Sequence, residues 1–189
     1  MKTKYFFDSD FNELEQLPRN FIVNFESLKV DSKFKTKVSI DGIQVGDIID
    51  DNSKEIDSYR FHDVFHYTFA TMLCWSPCTR AMMKRKRKSL PEIDEIEDGA
   101  RATITEEAIS LMIFNNAKQK DFFKNQTKVS ISLLNQIKCL TSSFEVSERS
   151  KKEWKYAILK GYSLFNELVN NNGGRIHFNM IERTAVYEN

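Results

Sequence analysis

The sequence predicts an α+β fold, mainly α, in which a helical bundle is joined by a small antiparallel sheet formed by the N- and C-terminal segments. Three observations carry this expectation. β-branched and aromatic residues concentrate near both ends, the middle of the chain switches to a 3.6-residue apolar spacing, and turn signals separate these regions. A chain of 189 residues with 41% apolar residues can bury one sizeable core and is short for two. We therefore expect a single domain over residues 1–189, with a β meander at 20–50, a helical core at 58–172 and a C-terminal hairpin at 175–188.

The segments FIVNFESLKV (21–30) and FKTKVSIDGIQVGDIID (34–50) are rich in Val, Ile and Phe, alternate in places, and are interrupted by an Asp-Gly turn signal. From Tyr59 the spacing becomes helical and puts Phe61, Phe65, Phe69 and Met72 on one stripe, up to a break at Ser76-Pro77. Pro77 suits the first turn of the next helix, where its missing N–H would be unpaired anyway. That short helix is expected to continue from Arg80 through the basic run to Lys88 and to end at Ser89-Leu90-Pro91. A long acidic-then-apolar helix should follow from Ile93 to Lys118. In residues 129–144, Leu133, Leu134, Ile137 and Leu140 favour helix over strand. An amphipathic helix runs from about Ser150 to Asn171, with Trp154, Ile158, Tyr162 and Phe165 on one face and a Gly173-Gly174 stop. Ile176, Phe178 and Met180 then alternate as a strand, a second strand spans Thr184 to Tyr187, and this hairpin is expected to pair with the N-terminal meander.

Charge and cysteine usage narrow the function classes. With 28 basic and 27 acidic residues the molecule as a whole is no polyanion binder, so any such role needs a local patch. Three cysteines, an odd number, and the lack of a charged-then-apolar leader argue against a secreted disulfide scaffold. The apolar runs fall far short of the ~20 residues a membrane span requires. A soluble cytoplasmic protein is the expectation.

The stretch YRFHDVFHYTF places His62 and His66 one helical turn apart on one face, with Asp63 beside them. A helical His-x-x-x-His is a metal-binding geometry, although two boundary histidines each satisfied by a hydrogen bond would read the same way. In LPEIDEIEDGARATITEEAISLMIF, about 100° per residue puts Glu95, Asp98, Ala102, Glu106, Ile109 and Ile113 in one stripe. Glu95 and Asp98 would lie about 4.5 Å apart along the axis, close enough to share an ion, with Glu106 roughly 12 Å further on from Asp98. An acidic helix start favoured by the macrodipole is the bland alternative. It does not cover Glu106 and Glu107, which sit mid-helix, where a divalent ion or Arg101 would have to supply the missing charge. The basic run Lys84, Arg85, Lys86, Arg87 and Lys88 can converge on phosphates or simply form a solvated surface. A zinc set of His62, His66, Cys74 and Cys78 has poor spacing, because Cys74 lies about 12 Å along the axis from His66 unless the Ser76-Pro77 break folds the chain back. Trp75 and Trp154 read as core residues.

These residues carry a resemblance. His62-Asp63-x-x-His66 has the spacing of the Glu-Glu-x-x-Glu turn of the MazG superfamily of all-α nucleoside triphosphate pyrophosphatases, and Glu95-Ile-Glu-Asp98 matches its Glu-x-x-Asp turn. The run from YRFHDVFHYTF to ITEEAIS resembles the MazG C-terminal domain, a module attached to or associated with those enzymes. The likeness extends in outline to GIQVGDIIDD and to EWKYAILKGYSLFNEL…NNGG. It implies hydrolysis of a nucleoside triphosphate to a monophosphate and pyrophosphate with Mg²⁺ as cofactor. The implied metal ligands are His62, Asp63, His66, Glu95 and Asp98, and the implied catalytic residues are Asp63, Glu106 and Glu107. Lys84, Arg85, Lys86, Arg87, Lys88 and Arg101 are implied as phosphate ligands. Histidines in place of glutamates favour softer ions such as Mn²⁺, Ni²⁺ or Zn²⁺. The resemblance further implies a homodimer and a partner protein in a larger system serving nucleotide-pool cleansing or phage defence. The alternative is a non-catalytic nucleotide-, nucleic-acid- or partner-binding module beside a MazG-type enzyme, nucleic acid being the least expected of these.

Overall fold

In the computed structural model, which describes residues 5–188, two tight turns set the N-terminal meander. Asp31 and Ser32 have φ of 48° and 69°, and Asp41 and Gly42 have 51° and 80°, the two-residue hairpin geometry whose twist suits paired strands. They join β1 (Asn20–Val30), β2 (Lys33–Ile40) and β3 (Ile43–Gln44). β4 (Gly173–Asn179) and β5 (Thr184–Glu188) complete a five-stranded sheet of order β3-β2-β1-β4-β5 with every pairing antiparallel. The sheet is thus built from both termini, and the fold is α+β. Alternate residues Phe21, Val23 and Phe25 of β1 join Val38, Ile176 and Phe178 in the core, where the Phe21 and Phe178 rings stack 5.2 Å apart.

Every residue of α1 (Asp63–Leu73) is buried. Its main neighbour is α6 (Lys151–Asn171), where Phe65 meets Tyr162 at 4.6 Å and Phe165 at 5.6 Å, and Phe69 lies edge-on to Trp154 at 5.4 Å. α6 starts with a capping box, in which Ser150 accepts from the Glu153 N–H while the Glu153 carboxylate accepts from the Ser150 N–H. It ends at Asn171, and Asn172 takes the left-handed conformation (φ 53°). Gly173 and Gly174 then open β4 rather than merely stopping the helix: with φ of +138°, a Cβ on Gly174 would lie 2.2 Å from the Tyr187 hydroxyl. α5 (Ile131–Leu140) is capped by Ser130, and Trp75 and Trp154 are both buried, with ring centroids 6.4 Å apart.

Two helical expectations are corrected. The helix anticipated over 93–118 is two helices, α3 (Pro91–Ile96) and α4 (Ala100–Lys118), with Gly99 extended between them (φ −84°, ψ −176°). The chain doubles back so sharply there that a Cβ on Gly99 would stand 2.1 Å from the Glu95 carbonyl oxygen. The helix anticipated through the basic run ends early: α2 (Pro77–Met82), begun by Ser76 and Pro77, stops before Lys84, which has a left-handed φ of 56°. No helix among the described residues is long and apolar enough to cross a membrane.

Candidate functional site at the junction of three helices

α1 carries His66 into the interior, so the imidazole must find partners within the protein. It finds them on α4. His66 Nδ1 donates to Glu106 Oε1 at 2.8 Å, with the two side chains 1% and 0% exposed. The start of α2 supplies the rest of the Glu106 environment: the Ser76 hydroxyl donates at 2.7 Å to Oε1, and the Cys78 N–H donates at 2.8 Å to Oε2. The His66 ring, the Ser76 hydroxyl and the Cys78 backbone N–H are thereby tied to one carboxylate. Burial disfavours a charged His66, but Cys78 and the Glu106 carboxylate beside it outweigh that and pull its pKa well above the ordinary value. The partner at Glu106 is thus His66 and not Arg101, which is exposed on α4.

On the outer side, His66 Nε2 faces Glu107 Oε1 at 3.4 Å, and the Cys78 sulfur lies 3.6 Å from the same oxygen. The Glu107 side chain is 46% exposed, so this edge opens to solvent. Burial raises the Glu107 pKa, but hydrogen bonding and the charge of His66 dominate and bring it to about 2. Burial pushes the Cys78 thiol up. Beside it, His62 stacks on Tyr59 at 4.3 Å, its Nδ1 lies 3.0 Å from the Tyr59 carbonyl oxygen, and its Nε2 lies 3.3 Å from Asp63 Oδ1. Burial lowers the His62 pKa despite the Asp63 charge. Among the described residues, two groups place three ligand atoms within 4.8 Å of one another: His62, Asp63 and His66, and His66, Cys78 and Glu107.

Neither group contains Glu95 or Asp98. Glu95 is exposed on α3. Asp98 is fully buried and surrounded by arginine: the Arg87 N–H donates at 2.7 Å, its Nε at 3.1 Å and its terminal NH2 at 2.7 Å, while Arg80 Nε stands 3.6 Å away. Arg87 also grips Glu145 at 2.9 and 2.8 Å, and Arg80 reaches Asp8 at 2.9 Å. Burial followed by the Glu145 charge raises Glu97, next to this lock, to about 7. Magnesium requires free oxygen ligands, and an Asp98 carboxylate saturated by guanidinium donors does not fit that requirement. The nitrogen and sulfur atoms around His66 suit softer ions.

The basic run is divided in the same way. Arg87 belongs to the lock, and Arg85 donates to the Glu13 carbonyl at 2.9 Å. Lys84, Lys86 and Lys88 line a cleft of about 330 Å³ together with Leu14, Glu15 and Ala81. Of the zinc set with poor spacing, Cys74 caps α1 in a left-handed conformation and is buried, with burial pushing its thiol up to about 11.

The comparison with protein families bears on the whole chain: the model of the MazG C-terminal domain matches residues 2–189. The chain belongs to the MazG C-terminal domain family. No curated protein and no solved structure matches it. In this MazG C-terminal domain, sequence reasoning named His62, Asp63, His66, Glu106 and Glu107 but missed Ser76 and the role of Cys78 as their neighbours. The available signal was the Ser76-Pro77 break, which folds the chain back and carries Cys78, not Cys74, to His66.

Proposed function

We propose that this chain is a nucleotide-binding module that accompanies a MazG-type pyrophosphohydrolase, and that its Glu95-x-x-Asp98 turn is not a magnesium centre. The observation behind this reading is the closure of Asp98 by Arg87 and Arg80, which removes one of the two carboxylates that the enzymatic pattern needs. Nucleotide binding is supported by the cleft lined by Lys84, Lys86 and Lys88, whose ammonium groups can neutralise a polyphosphate. Leu14, 76% exposed on the same cleft, offers an apolar ledge to a base.

The test is a panel of nucleoside triphosphates, with binding read by calorimetry and pyrophosphate release read in parallel. Salt-sensitive binding without pyrophosphate release is expected, and it should be lost when Lys84, Lys86 and Lys88 are replaced by alanine together. Absence of binding, or pyrophosphate release that requires Asp98, would overturn the proposal.

A second reading has its own support, because the His62 turn does meet a carboxylate helix, at Glu106 and Glu107. Under it, a softer ion at His62, Asp63 and His66 assists hydrolysis, with Glu107 as the base. Turnover with Mn²⁺ that falls on Asp63→Asn and on Glu107→Gln would favour it.

A further inference from the structure

We infer that His66, Cys78 and Glu107 form a binding site for one thiophilic divalent cation of the zinc class. Three observations meet here. Nε2 of His66 is buried and has no hydrogen-bond partner, the contact to Glu107 being within ion-pair distance only. A buried ring nitrogen without a well-formed hydrogen bond keeps a lone-pair or N–H direction open to a further partner, and here that direction faces the Glu107 carboxylate.

The spacing of the surrounding atoms is the second observation. Tetrahedral zinc holds nitrogen at about 2.0–2.1 Å, carboxylate oxygen at about 2.0–2.2 Å and sulfur at about 2.3 Å. At tetrahedral angles those bonds put nitrogen and oxygen about 3.4 Å apart, and sulfur and oxygen about 3.6 Å apart. The structure has His66 Nε2 to Glu107 Oε1 at 3.4 Å and Cys78 Sγ to the same oxygen at 3.6 Å. Both edges have the length that tetrahedral coordination requires, and the ligand atoms of the three residues lie within 4.8 Å of one another.

The third observation is the support behind the ligands. A metal-bound histidine is normally fixed through its other nitrogen by a carboxylate, and Glu106 already holds His66 Nδ1 at 2.8 Å. Glu106 is itself fixed by Ser76 and by the Cys78 N–H, so the same carboxylate positions two of the three ligands. Cation binding displaces the Cys78 thiol proton and the proton on His66 Nε2 to solvent, leaving a thiolate and a neutral imidazole as ligands. Three protein ligands leave a fourth position, on the solvent-facing edge beside Glu107. The inference does not depend on nucleotide binding at the lysine cleft.

The test is titration of the purified full chain with Co²⁺, followed by Zn²⁺ competition. One equivalent of Co²⁺ should bind with a sulfur-to-cobalt charge-transfer absorption, and Zn²⁺ should displace it. Cys78→Ser should abolish that absorption, and Cys74→Ser should leave it. Because Cys78 is buried and its variant can fail to fold, Glu107→Gln at a half-exposed position serves as the second probe and should weaken Zn²⁺ affinity by at least about 10-fold, which is what loss of an outer-shell partner costs. Cobalt binding without a charge-transfer band, a band that survives Cys78→Ser, or Zn²⁺ affinity unchanged by Glu107→Gln would each overturn the inference.

Discussion

Replacing Asp98 with alanine removes the acceptor for three bonds from Arg87, at 2.7, 3.1 and 2.7 Å, inside a region where both side chains are at most 1% exposed. Breaking a buried ion pair by deleting one partner costs about 3–5 kcal/mol, because the surviving charge is stranded. Arg87 keeps its two bonds to Glu145, which points to the lower end, about 3 kcal/mol. For a chain of this size each kcal/mol moves the melting temperature by about 2–4 °C, giving a fall of about 6–12 °C. Thermal and urea unfolding followed by circular dichroism would measure it. The double variant Asp98→Leu with Arg87→Met strands less charge and should recover part of the loss. An Asp98→Ala protein with unchanged stability and weakened divalent-cation binding would refute the reasoning and restore Asp98 as a metal ligand.

Other perturbations probe the remaining parts of the account. His66 has a folded pKa above its unfolded value of about 6.5, so its contribution is complete below that pH and is lost as pH rises through the folded value. Glu106→Gln should therefore flatten the decline in stability above about pH 6.5 that the parent chain shows in urea titrations. Glu97, raised to about 7, keeps its proton in the folded state, so parent stability should fall as pH rises from about 4.3 to that value. Glu97→Gln should remove that slope in the same assay. Gly174→Ala meets both a φ of +138° and the Tyr187 ring, and it should cost more than about 1 kcal/mol in urea unfolding.

The terminal sheet was legible because alternation in β1 and β4 and the Asp-Gly turn at 41–42 act locally, through the side chains themselves. Capping also reads locally, which is why Ser76-Pro77 and Ser150 mark real helix starts. The break at Gly99 was not legible. The stripe runs straight through, with Asp98, Ala102, Glu106, Ile109 and Ile113 all buried, while the bonds that Asp98 makes beside the break reach Arg87 and Arg80, which are distant along the helix pattern. Spacing along one helix likewise could not tell which carboxylates meet the histidines. That choice is made by how α1 crosses α4 and by the return of the chain after Cys74, which together bring Glu106, Glu107 and Cys78 to His66 and leave Glu95 outside.

The central claim is that the metal-capable centre lies at His66, Cys78 and Glu107 while Asp98 serves as a structural lock. Anomalous diffraction from crystals grown with Zn²⁺ tests it most directly. A peak is expected within bonding distance of the Cys78 sulfur, the His66 Nε2 atom and the Glu107 carboxylate, with Asp98 still held by Arg87. A peak bridging Asp98 and Glu95, with Arg87 displaced, would contradict it.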